Sequence, residues 1–176
     1  MEITKNLFLS RFKTRKEFLS ITTYSFFLLL FPVIIVNQLI LGTIVNALLI
    51  KSSLSYSLKR IALLCFLPSI SVLATGFLFG NLSAQLLLMI PFIWLGNFTI
   101  TFVSRKLFVE KKKNYFTSTF LAGVGKTILL LTSTSILLFF ILVPAIFLTM
   151  FGINQLITAV SGAIIVGFSL RIKWLQ

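Results

Sequence analysis

Histidine is absent from this chain, and only three acidic residues, Glu2, Glu17 and Glu110, occur in its 176 positions. Metal-assisted hydrolysis, a Ser-His-Asp triad and iron–sulfur ligation all need bases or ligands that are missing. The three acids sit among basic residues at the ends of apolar stretches, so a carboxylate proton relay through a membrane has no members either. The one cysteine, Cys65, has no intrachain partner and leaves the redox compartment open. No catalytic residues, no metal and no cofactor are therefore expected. A lone lysine, Lys126, lacks a second catalytic group.

Charge is scarce as well. Charged residues make up 11% of the sequence and hydrophobic ones 58%, whereas a soluble domain carries about 25% charge. Mean hydropathy is +1.08. These values describe an integral membrane protein, and the length suits a single domain.

The charge that is present is almost all positive, with a formal net of +13. Basic chains bind phosphate, but the placement argues against nucleic acid. Of the 16 Lys and Arg, five lie in residues 5–16, three in 51–60, five in 105–113 and two at 171 and 173. Basic clusters parked between apolar runs follow the positive-inside rule. Only Lys126 lies inside an apolar run. The amphipathic segment 4–20 precedes the first run without a clear cleavage site, and it is read as retained.

Five apolar stretches follow: 21–50, 61–79, 82–104, 116–149 and 151–170. A spanning helix needs about 20 residues. If residues 51–60 are cytoplasmic, the clusters at 105–113 and 171–173 fall on the same side. The N-terminal cluster joins them only if 21–50 crosses twice. Pro32 can break a helix, and Asn37, Gln38 and Gly42 offer turn positions; one long tilted helix is the alternative. The expected fold is thus an all-α polytopic membrane bundle of about six transmembrane helices with both termini cytoplasmic. The spans fall near 21–36, 40–56, 61–79, 82–104, 116–149 and 151–170. The fifth is read as one long helix from near Tyr115 that kinks at Pro144.

Polar side chains in hydrocarbon are costly and usually face a cavity or another helix. An outer group, Asn37, Gln38, Asn81, Asn154 and Gln155, lies at external span ends, where amides suit a neutral polar ligand or simply cap helices. An inner group, Asn46, Asn97 and Lys126, shares a common depth at about 1.5 Å per residue. No acid reaches Lys126, so its partner is an amide, a backbone carbonyl, a bound anion, or the interface by snorkelling. Trp94 suits stacking on a flat ligand or plain packing. The hydroxyls at 132–135 are expected to bond their own backbone. Ala159, Ala163 and Gly167, at spacing four, form a small-residue face for internal packing or for docking a partner subunit. Gly123-Val-Gly-Lys-Thr127 is not a phosphate loop, because Phe120 stands where its first glycine belongs.

Several stretches together resemble the S-components of energy-coupling-factor importers, small membrane proteins that bind a vitamin or related micronutrient. They are Val36-Asn37-Gln38-Leu39 running into Gly42 and Asn46, Leu67-Pro68-Ser69, Met89-Ile-Pro91-Phe-Ile-Trp94-Leu-Gly96-Asn97, Lys126 ahead of Leu131-Thr-Ser, and Gln155-Leu-Ile-Thr-Ala159. The likeness covers most of residues 24–170. It implies a pocket near the outer face, in the cell membrane, for a small polar nutrient. It also implies partners: a transmembrane coupling subunit and two cytoplasmic ATPases. One departure stands out. Characterised S-components dock through an Ala-x-x-x-Ala-type face on the first helix, and residues 24–36 here are bulky apolar apart from Ser25 and Pro32. Docking then uses another face, or the protein works without the usual partners. The alternative function is a non-transporting membrane scaffold, which predicts no pocket.

Overall fold

The computed structural model describes the backbone of residues 2–75 and 82–174 and the side chains of 15–74, 82 and 85–170. Among them every regular element is helical. The order is α1 (Glu2–Ile34), α2 (Gln38–Ser55), α3 (Leu58–Ile61), a 3₁₀ turn (Ala62–Cys65), α4 (Leu67–Thr75), α5 (Ser83–Ser104), a π-helical turn (Arg105–Glu110), α6 (Tyr115–Phe139), α7 (Ile146–Phe151) and α8 (Ile153–Trp174). Five stretches are long and apolar enough to cross a bilayer: Arg15–Ile34, Gln38–Ser55, Gln85–Glu110, Tyr115–Phe139 and Ile146–Leu170. The protein is an all-α, multi-pass membrane bundle.

The long run 21–50 does divide, though not at the proline. Pro32 is carried inside α1, two residues before its end. The break comes at residues 35–37. Asn37 then starts α2, its Oδ1 accepting from the amides of Leu39 (3.0 Å) and Ile40 (3.1 Å). Gly42, expected at a turn, lies within α2 instead.

Two other expectations are corrected. Residues 61–79 do not form one helix; the segment is broken into α3, the 3₁₀ turn and α4. Where it is described, it runs antiparallel to α5. Arg105 Nη1 donates to the carbonyls of Ser53 (3.1 Å) and Tyr56 (2.5 Å), Asn97 Nδ2 to Cys65 O (2.9 Å), and Trp94 Nε1 to Ser69 Oγ (2.6 Å). The second correction concerns 116–149. Its helix begins at Tyr115 as expected, capped by Asn114, but it ends at Phe139 rather than kinking at Pro144. Ile141 is left-handed at φ 58°. The amide of Ile141 bonds Leu138 O (2.8 Å) and that of Leu142 bonds Leu137 O (3.0 Å), which together close the helix by a Schellman pattern.

Four helices form a closed ring in which α2 packs on α5, α5 on α6, α6 on α8 and α8 back on α2; α1 lies outside and packs mainly on α4. Close approach is built into the ring. A Cβ on Gly162 of α8 would meet the Ala47 amide nitrogen of α2 at 2.8 Å and the Thr43 carbonyl at 2.9 Å. Large apolar side chains such as Leu63, Leu87, Phe139, Ile141 and Phe168 are exposed around the outside. That much apolar surface is untenable in water and natural against lipid.

The basic clusters collect at one end. Glu17 pairs with Arg60, which brings the start of the first span beside residues 51–60. Lys51 Nζ donates to Ser169 Oγ at 3.0 Å, and Arg105 reaches Tyr56. The opposite end carries the start of α2 at Gln38 and the start of α8 at Ile153.

Candidate functional site

Lys126 projects from the middle of α6 into the centre of the ring, where it is almost fully buried. Its Nζ donates to Asn46 Oδ1 of α2 at 2.7 Å and to Asn97 Oδ1 of α5 at 2.9 Å. Depth matching along the sequence placed these three at one level, and the structure joins them. Both amides are themselves held. Asn46 Nδ2 donates to Thr158 Oγ1 of α8 (3.1 Å), whose hydroxyl donates to Gln155 O (3.1 Å). Asn97 Nδ2 donates to the Cys65 carbonyl, to which Pro68, three residues on, has no amide to offer. The network therefore ties α2, α5, α6 and α8 to the broken segment through one side chain.

Among the described side chains no acid balances the lysine. The acids among them are Glu17 and Glu110, and they pair with Arg60 and Arg105 at the basic end. A protonated lysine has three N–H donors, and two are used here.

Beside Nζ lies a cavity of about 90 Å³ lined by α2, α4, α5, α6, α7 and α8. Its polar lining is Gln38, Asn46, Ser69, Asn97, Lys126 and Gln155, and its apolar walls include Leu41, Val72, Leu86 and Phe151. Gln38 and Gln155 belong to the first turns of α2 and α8, so the cavity runs from the lysine toward the end away from the basic clusters. Gln38 Nε2 also donates to Met150 O at 3.3 Å. The arrangement offers an ammonium at the deep end, amides at the shallow end and hydrocarbon between.

The remaining candidates scatter. Asn37 is an exposed helix cap, and Asn154 is half-buried outside the cavity lining. Asn81 lies outside the described residues. Trp94 is turned away from the cavity toward an apolar groove with Phe66, Pro91 and Phe98, its ring edge-to-face with Phe66 at 4.8 Å. Ala159, Ala163 and Gly167 face α6. Ala159 packs on Gly123, Tyr115 Oη donates to Ala163 O (2.7 Å), and Gly167 lies under the Tyr115 and Phe116 rings. That stripe is taken up by packing within the chain. Ser133, Thr134 and Ser135 bond the carbonyls four residues back, at 2.8, 2.8 and 2.9 Å.

Sequence reasoning missed Thr158 and the Cys65 carbonyl as supports, and Ser69 as lining. A threonine three residues after Gln155 was a signal available for the first. For the second, Pro68 was a signal, since it has no amide to bond the carbonyl three residues back.

No known family pattern, curated protein or solved structure matches this chain.

Proposed function

We propose that this protein is a substrate-binding membrane subunit that takes up a small polar nutrient from the side opposite its basic loops, in the manner of an energy-coupling-factor S-component. The observation that carries this reading is the cavity that runs from Gln38 and Gln155 down to Lys126. A bundle that needed only to be stable would fill this space with apolar side chains. The basic ends of the helices, including both termini, face the cytoplasm of a cell membrane under the positive-inside rule. The coupling partners would be a transmembrane subunit and cytoplasmic ATPases. They would engage a face other than the Ala159 stripe, which α6 covers. The protein itself is read as non-catalytic, since Lys126 is surrounded by amides.

Cavity size refines the substrate. An engineered cavity of about 150 Å³ takes one benzene, and this one measures about 90 Å³. By that comparison a molecule of about four heavy atoms fits, and anything the size of a vitamin requires the helices to part. The scaffold alternative draws less support, because it has no use for a cavity lined with polar groups.

The test is native mass spectrometry of protein extracted in mild detergent, alongside a thermal-shift panel of small neutral and anionic metabolites. A bound molecule that raises Tm, and whose effect is lost on Gln155→Leu or Asn97→Leu, supports the reading. Absence of any retained or stabilising molecule refutes it and leaves the scaffold.

A further inference from the structure

The proposed uptake role leaves the charge of the cargo open, and the deep end of the cavity speaks to it. Lys126 is a charged residue among the described side chains that is held inside the ring, and no acid lines the cavity beside it. A cation in hydrocarbon costs several kcal/mol unless it is paired. Asn46 and Asn97 orient the ammonium without neutralising it, because each contributes only an amide oxygen. Their own Nδ2 groups are committed to Thr158 and Cys65. The geometry therefore holds a cation in place on two sides, with a third N–H left for the space it lines.

Resting on the substrate-binding reading above, we propose that the site takes a small monoanion, of carboxylate type, with the Lys126 ammonium as its counter-charge. The anionic head meets Nζ between Asn46 and Asn97. A short apolar body lies against Leu41, Val72, Leu86 and Phe151, and any second polar group reaches Gln38 or Gln155 at the mouth. Charge-assisted hydrogen bonds are roughly twice as strong as neutral ones, so the lysine discriminates between an acid and its uncharged isostere. The small cavity excludes long acyl chains, which separates a cargo drawn from solution from a fatty acid drawn from the bilayer.

The experiment is equilibrium binding to the full-length protein in nanodiscs of zwitterionic lipid, followed by calorimetry and thermal shift. The probes are straight-chain monocarboxylates from acetate to octanoate, lactate, and the primary amide of each. The expected result is that a short carboxylate binds at least about tenfold more tightly than its amide, a difference of one decade in Kd, and that affinity falls away toward octanoate. In Lys126→Met the preference for carboxylate over amide disappears. Should that variant fail to fold, Lys126→Gln serves in its place, and the wild-type comparison of acid with amide stands without either. Amides that bind as well as carboxylates overturn the anion assignment while sparing the uptake reading. So does a carboxylate preference that survives removal of Lys126. Affinity that rises steadily with chain length overturns it in favour of lipid capture. If nothing in either series binds and nothing co-purifies, the uptake reading falls with it.

Discussion

Replacing Asn97 by leucine probes the lysine network where its energetics are most readable. The substitution removes an acceptor 2.9 Å from Lys126 Nζ and a donor 2.9 Å from the Cys65 carbonyl. Hydrogen bonds between membrane helices average about 0.6 kcal/mol, with a maximum near 1.7. Bonds to a charged group lie toward the upper end of their range. One of each sums to about 2 kcal/mol of destabilisation for Asn97→Leu. Asn46→Leu, which loses the 2.7 Å bond to Lys126 and the 3.1 Å bond to Thr158, should cost a similar amount. The triple variant Asn46→Leu/Lys126→Met/Asn97→Leu should behave differently. Removing all three polar groups together leaves no stranded charge, and apolar replacement of a buried polar cluster is often neutral or stabilising. The triple variant should return to within about 0.5 kcal/mol of wild type or exceed it. Equilibrium unfolding in mixed detergent micelles, followed by tryptophan fluorescence, measures each. A triple variant as unstable as the sum of its parts would refute the view that the network serves a ligand rather than the fold.

Other consequences are as direct. Ile141 is a β-branched residue held at positive φ, so Ile141→Gly should stabilise the bundle by about 1 kcal/mol in the same unfolding assay. Gly162→Val should lower Tm sharply and separate α8 from α2, because even one added carbon meets backbone atoms at 2.8 and 2.9 Å; inter-helix crosslinking between these helices should drop with it. Cys65 is buried, so the folded wild-type protein should resist maleimide and label only after denaturation. Single cysteines placed at Lys112 and at Asn154 in a Cys65→Ser background should label from opposite faces of sealed vesicles. Labelling of both from one face would contradict the sidedness.

Much of this architecture could be read without coordinates, because hydrocarbon penalises polarity so heavily. The inner triad was legible from depth alone, as Lys126 had no acid to pair with and two asparagines lay at its level. The division of residues 21–50 was legible from charge counting, and the gap expected between the spans 21–36 and 40–56 lies within a few residues of the observed break at 35–37. Pro32 is carried inside α1, whereas Asn37 starts α2 by satisfying two amides at once. The end of α6 was hidden, since it rests on a left-handed isoleucine and two backbone bonds, without glycine or proline to announce it. The break within residues 61–75 was hidden for the opposite reason. Residues 61–75 are apolar enough to read as one helix, and only side chains from α5 reaching Cys65 and Ser69 reveal why the backbone departs from it. Asn37, Gln38, Asn154 and Gln155 lie at helix ends as expected, yet periodicity could not say which face each would take. Gln38 and Gln155 turn to the cavity, while Asn37 caps a helix.

The account stands or falls on whether the space between α2, α4, α5 and α6 holds a ligand. The most direct measurement is native mass spectrometry of the wild-type protein beside Val45→Phe, a variant that fills the cavity from its α2 wall, with folding of each checked by its Tm. A small molecule should be retained by the wild type and absent from folded Val45→Phe. Equal retention by both, or an empty wild-type protein under the mildest extraction, would contradict it.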